Sequence, residues 1–193
     1  MRRITKKQAD VIGEIANICT GNAATTLSMM LNRATNITTP KVEVLSSMED
    51  LLKEDLVLIK VPYTKGLDGT NLMLLNEQDA LIIANLMMGG DGSDISQMSL
   101  DEMTLSAISE AMNQMCGTIA TSMATVLGAP TDIGYPLVNT KEQQNFSIPS
   151  ELLGSKKSVK VTFGLTVGEL INSKLIQIYP LSIVKQILKQ EER

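Results

Sequence analysis

Histidine and tryptophan are absent from this 193-residue chain, and only two phenylalanines and three tyrosines are present. Without histidine there is no Ser-His-Asp triad and no His-ligated metal centre. So few aromatic faces also argue against a base-stacking surface for single-stranded nucleic acid. Cysteine is limited to Cys19 and Cys116. Both fall in amphipathic helical stretches, away from the polar side, and read as buried reduced thiols rather than a disulfide framework. Positive charge is in short supply as well: the net charge is −4, which gives no basic field for nucleic acid or an anionic membrane. No segment reaches the ~18 apolar residues of a membrane span. The opening Met1-Arg2-Arg3-Ile4-Thr5-Lys6-Lys7 lacks the apolar core of a signal peptide. A cytoplasmic protein is expected, long enough to bury a sizeable core in one or two small domains.

What the chain does contain is a stretch, 10–40, that occurs twice. Asp10, Glu14, Asn17, Gly21 and Pro40 return as Ser106, Glu110, Asn113, Gly117 and Pro136, each 96 residues later and without a gap. Ile12, Ala24, Thr25, Leu31, Thr35 and Ile37 match Ile108, Ala120, Thr121, Leu127, Thr131 and Ile133 at the same spacing. Two copies are too few for a solenoid; they predict one domain with internal pseudo-two-fold symmetry.

On a helix advancing roughly 100° per residue, Asp10, Glu14, Asn17, Gly21, Thr25 and Ser28 share one stripe. Ile12, Ala16, Cys19, Ala23, Leu27 and Met30 share the opposite one. In the second copy Ser106, Glu110, Asn113, Gly117 and Thr121 oppose Ile108, Met112, Met115, Ile119, Met123 and Val126. Each copy is a long amphipathic helix with a polar ridge and an apolar face. For a lone Glu-x-x-Asn the plain reading is a solvated surface. The repeat changes that weighing. Lys7, Val11 and Asn22 became Met103, Ala107 and Thr118, whereas Glu and Asn stayed, although Asn is a mediocre helix former. Mid-helix glycine costs about 1 kcal/mol relative to alanine. Gly21 and Gly117 on the ridge therefore point either to a surface left open for close approach or to tight helix–helix packing.

The residues restrict the chemistry. An exposed Glu has no burial to raise its pKa and make it a base. Asn does not titrate, but its amide offers donors and an acceptor together. Holding a water in line with a phosphorus suits it, since phosphoryl transfer depends on positioning. Gly89-Gly90-Asp91-Gly92-Ser93 lacks the Lys-Ser/Thr of a phosphate-binding loop and follows a helical pattern, so it reads as a linker.

The motif Asp/Ser-x3-Glu-x2-Asn-x22-Pro, present whole as Asp10 to Pro40 and as Ser106 to Pro136, resembles the signature of the CheC/CheX/FliY family. The resemblance extends over essentially the whole chain. It implies hydrolysis of the aspartyl phosphate of the chemotaxis regulator CheY. Glu14 and Glu110 would dock on the regulator's lysine, and Asn17 and Asn113 would orient the attacking water. Asp10 and Ser106 are motif positions without an assigned role, Gly21 and Gly117 keep the ridge open, and Pro40 and Pro136 initiate strands as scaffold. By the same resemblance this chain binds no cofactor or metal, and Mg²⁺ belongs to the phosphorylated CheY. Asn113-Gln114-Met115, Gly89-Gly90-Asp91-Gly92 and Val167-Gly168-Glu169-Leu170-Ile171 point to the flagellar-switch branch of the family. That branch implies partners of the FliM, FliG and FliN-like kinds at the cytoplasmic face of the motor. A fragment of a longer switch member is favoured over a free-standing one. The other functional class is a switch scaffold that binds CheY without turnover.

The expected fold is α+β: two pseudo-symmetric halves, about 5–88 and 97–190, joined by a Gly-rich linker at 89–96. They share one antiparallel sheet with two long amphipathic helices packed on it. Thr5-Lys6-Lys7-Gln8 and Ser99-Leu100-Asp101-Glu102 look like capping boxes opening those helices. Strands are predicted at 41–45, 56–63, 70–75, from 136, at 158–166 and 173–179. Shorter helices are predicted at 77–88 and 181–190, with polar connections at 46–55 and 140–157. Leu72 aligns with Leu175 at a spacing of 103, so the second half carries seven extra residues, naturally placed in the long polar loop with Gly154.

Overall fold

A computed structural model describes residues 4–143, 146–153 and 157–191. Arg2, Arg3, Gly154, Glu192 and Arg193 lie outside the described residues. The first long helix, α1 (Lys6–Leu31), opens with the predicted box: Thr5 Oγ1 accepts Gln8 N–H, and Gln8 Oε1 accepts Thr5 N–H. Asn32 closes it in the left-handed region at φ 48°, donating its N–H to Ser28 O. The second long helix, α3 (Glu102–Leu127), starts differently from the prediction. Ser99 is not its cap; Asp101 is, accepting Thr104 N–H at 2.9 Å. An ionised carboxylate is favoured over a hydroxyl facing the positive end of the helix. That hydrogen bond holds the Asp101 carboxyl below its usual range.

Three strands and a helix follow each long helix, with a short extra strand before them. The first half gives β1 (Thr35–Ile37), β2 (Lys41–Leu45), β3 (Leu56–Lys65), β4 (Gly69–Asn76) and α2 (Glu77–Met87). The second gives β5 (Asp132–Ile133), β6 (Leu137–Asn139), β7 (Ser158–Val167), β8 (Ile171–Pro180) and α4 (Leu181–Glu191). The predicted strands and helices are all present. The short β1 and β5, which sequence periodicity does not register, are additions. Both tight hairpins run in register, Leu56↔Asn76 to Tyr63↔Gly69 and Ser158↔Pro180 to Val167↔Ile171. The hairpin registers repeat at 103, so the seven extra residues lie between β6 and β7.

One antiparallel eight-stranded sheet joins the halves, in the order β1-β7-β8-β4-β3-β5. Its centre is β4 against β8, from Leu72↔Ile178 to Leu75↔Leu175. The flanks are exchanged: β1 and β2 of the first half pair with β7 of the second, and β5 and β6 pair with β3. All four helices pack on one face, where Val57, Ile59, Val161, Phe163 and Leu165 meet Ile12, Cys19, Ile108, Met115 and Ile183. The other face is covered by the two connections predicted as polar. They turn Met48, Leu51 and Leu152 onto Leu58, Leu72, Leu74 and Ile178. Burial on both faces explains the nearly continuous apolar runs of β3, β4 and β8.

The long helices lie antiparallel and touch. Asn22 Nδ2 donates to Ser122 Oγ at 3.0 Å, and the Thr26 and Thr118 hydroxyls are 2.7 Å apart. That register brings Ala24 opposite Ala120, its own repeat partner, so the pseudo-two-fold axis passes between them. Val126, predicted on the apolar stripe, is exposed, and its neighbour Leu127 is buried in its place.

Two substitutions test the α3 start: Asp101→Ala should lower the urea midpoint at pH 7, whereas Ser99→Ala should leave it unchanged. Because the Asp101 pKa is depressed on folding, its contribution is present above the ordinary carboxylate range and fades as pH falls through the depressed value. Phe163→Ala, at a fully buried position, should cost about 3–5 kcal/mol in the same assay.

Candidate functional site

The apolar stripes of α1 and α3 fix the rotation of each helix. With Ile12, Ala16, Cys19 and Ala23 turned to the sheet, Asp10 and Glu14 are exposed and Asn17 and Gly21 are half-buried. On α3, Ser106, Glu110 and Gly117 are exposed and Asn113 is half-buried. Each predicted ridge therefore exists as an outward row. Neither Asn17 nor Asn113 hydrogen-bonds to a partner through its amide among the described residues, so both remain available to a ligand. The two ridges lie toward opposite ends of the antiparallel pair. At 1.5 Å per residue, Asn17 and Asn113 are separated by about 20 Å along the helix axes.

The glycines separate the two explanations offered by the sequence. A Cβ built on Gly21 or Gly117 meets nothing within 4 Å. Helix–helix packing is not their reason. The helices touch instead along the row of Asn22, Thr26, Thr118 and Ser122, and the glycines leave open space beside each Asn. Gly13 is the opposite case: its Cβ would stand 2.5 Å from Val42 Cγ2. It lets β2 press against α1.

That approach builds a cleft at the first ridge, of about 290 Å³, lined by Asp10, Gly13, Glu14, Asn17, Thr39, Pro40 and Val42. Pro40 was expected only to initiate a strand. It does precede β2, and it is also a wall of the cleft beside Glu14 and Asn17. Sequence reasoning missed Gly13, Thr39 and Val42. The available signal was the contrast of Gly13 with Ser109, its counterpart in the repeat. At the second ridge Pro136 is buried, and the neighbouring hollow opens on the other side of the motif. It measures about 860 Å³ and is lined by Ser106, Ala107 and Glu110 with Asp101, Glu102, Met103, Met87 and Met88. Glu110 also accepts a hydrogen bond from Gln114 Nε2 at 2.9 Å. The position matching Gln114 is Ile18, and Glu14 has no such neighbour.

Thiol chemistry is not available. Cys19 and Cys116 are buried, and burial pushes both thiols up to about 12, so neither is a thiolate at neutral pH. Among the described residues no group of three His, Cys, Asp or Glu could hold a metal ion. No helix among them is long and apolar enough to cross a membrane.

The sequence model of the CheC-like family matches residues 8–44 and 103–133, the segments that carry the two motifs. The crystal structure of Thermotoga maritima FliY superposes with a TM-score of 0.84 at 36% identity, covering 99% of this chain and 98% of that one. The chain belongs to the CheC-like family. Within that family, the flagellar motor switch phosphatase FliY of Bacillus subtilis (strain 168) is 45% identical over 191 residues, 96% of this chain. The chain spans 49% of that relative's length. The Helicobacter pylori protein in a FliG–FliM complex matches with a TM-score of 0.75 at 16% identity, covering 96% of this chain and all of that one. The CheC-like fold thus extends to chains that have diverged far in sequence.

Alanine at the three glycines should separate the two kinds of site. Gly21→Ala and Gly117→Ala should each stabilise the protein by about 0.5–1 kcal/mol. Gly13→Ala should destabilise it, because Val42 must move. Thermal unfolding monitored by circular dichroism checks all three signs.

Proposed function

We propose that this chain hydrolyses the aspartyl phosphate of the response regulator CheY, as a catalytic segment of a flagellar-switch phosphatase. The observation that carries this reading is the pair of outward ridges on which Glu and Asn stand one turn apart, with both amides unengaged. A protein without histidine, and with both of its thiols buried, offers a phosphoryl group chiefly positioning. Glu14 or Glu110 binds the lysine beside the regulator's phosphate. Asn17 or Asn113 then enters the regulator's active site and accepts and donates hydrogen bonds so that one water lies in line with phosphorus. The leaving group is the regulator's own aspartate. Mg²⁺, held by the regulator, neutralises charge on the phosphoryl oxygens. The active site is composite, with half of it on the substrate protein.

Each neighbouring feature has a part in this scheme. Gly21 and Gly117 leave room for the regulator's backbone to come close to the Asn. Pro40, Thr39 and Val42 limit how deep the partner can sit at the first ridge. The 45% identity to a flagellar motor switch phosphatase supports both the reaction and a place in the switch, with FliM-, FliG- or FliN-like neighbours and a location at the cytoplasmic face of the motor.

Loss of one positioning group typically lowers the rate at its own site by about 10²–10³. Asn17→Ala or Asn113→Ala alone should therefore leave partial CheY-P hydrolysis, and the double variant almost none. Phosphate release from acyl-phosphorylated CheY measures this. Undiminished turnover in the double variant would remove the ridges from the chemistry. Binding without turnover by the unaltered protein would make it a scaffold.

A further inference from the structure

The two ridges share Glu, Asn and Gly but not their rims. The hollow beside the α3 ridge has an apolar wall of Met87, Met88 and Met103 and an acidic side of Asp101, Glu102 and Glu110. Met103 is 71% exposed and Met88 45%. On the α1 side the counterpart of Met103 is Lys7, with Lys6 where α3 has Glu102. The segments around the motif prolines differ in the same sense. Tyr135 and Leu137 flank Pro136 and are more than half exposed, whereas Thr39 and Lys41 flank Pro40. Ile18 is the opposing case, an exposed apolar residue matched by Gln114.

Exposed apolar surface bordered by charge marks an interaction site, and methionine adapts its shape to a partner at little cost. The hollow is continuous with the catalytic ridge, because Glu110 and Ser106 line both. Its carboxylates fit a partner face that carries cations, as a regulator with a lysine at its phosphorylation site does.

We propose that the α3 ridge is the recognition site of the pair: Met88 and Met103 seat an apolar side chain of the phosphorylated regulator, with Asp101 and Glu102 facing the lysine or arginine next to it. The α1 ridge, rimmed by Lys6 and Lys7, acts on the same substrate at a higher KM. This rests on the phosphatase reading and adds to it an inequality between sites with identical catalytic groups. Met88 and Met103 act on docking and touch no reacting atom.

Single-site enzymes test it. Asn17→Ala leaves the α3 site, and Asn113→Ala leaves the α1 site. In the Asn17→Ala background, Met103→Lys with Met88→Gln should raise KM for CheY-P about tenfold with kcat unchanged. Met103→Leu should keep KM near its starting value. In the Asn113→Ala background the same paired change should alter neither constant. Met103→Lys alone, at a surface position, covers the event that the pair unfolds. An unaltered KM in the first background, or equal effects in both, overturns the inequality while leaving the phosphatase intact. A protein with no turnover at all refutes the phosphatase instead. Affinity for CheY carrying Mg²⁺ and beryllofluoride then still decides the docking question: it should fall about tenfold in the paired Met variant, and an unchanged affinity overturns the proposal.

Discussion

Neither half of this protein completes its own sheet. β2 finds its hydrogen bonds on β7, from Lys41↔Thr162 to Leu45↔Ser158, and β6 finds its own on β3. An unpaired strand edge leaves backbone donors and acceptors without partners, so the exchange couples the halves at the level of the backbone. The cleft of the first site depends on it. Thr39, Pro40 and Val42 stand against α1 because the second half's hairpin holds the strand that carries them there. Chemistry assigned to one repeat therefore rests on the backbone of the other.

The apolar stripes of α1 and α3 explain why the ridges point outward. Two long helices must cover one face of the sheet, and they meet through small side chains, with Ala24 opposite Ala120. Most of the larger side chains on the apolar stripes, Ile12, Leu27, Ile108, Met112 and Met123 among them, go down into the core with Phe163 and Met115. What remains for solvent is the stripe bearing Glu, Asn and Gly. A helix with a carboxylate and a carboxamide one turn apart is unremarkable alone. Built into a rigid layer, with empty space at Gly21 and Gly117, the pair is presented outward in a fixed attitude.

Much of this was legible in the sequence, for a physical reason. Helical periodicity, the Thr5 box, hairpin glycines and a 96-residue repeat are local or translational signals. They gave both long helices, the principal strands, the ridges and the buried thiols. What remained hidden depends on contacts between segments far apart in the chain. No local pattern shows that β2 crosses to β7, that Gly13 yields to Val42, or that the connections at 46–55 and 140–157 cover a second apolar face. The α3 start was misplaced because Ser99 and Asp101 both satisfy a capping pattern, and the choice between them is made by the charge on the carboxylate. The sequence showed Lys7 replaced by Met103 in the repeat, but only the fold brings Met88 and Met103 to the same hollow.

The exchanged edge strands also say something about ancestry and assembly. A half-length chain would carry β1 and β2 with nothing to join and a hairpin with a bare flank. A second copy related by a two-fold axis supplies both deficits at once, which is the arrangement of a swapped homodimer. Joining the two copies through Gly89–Gly92 makes that association intramolecular, so it no longer depends on protein concentration. Fusion also frees the copies to diverge. Thr20 could become the acceptor for a buried Gln177, which itself accepts from Tyr179, while its counterpart became Cys116, a difference that no homodimer can hold.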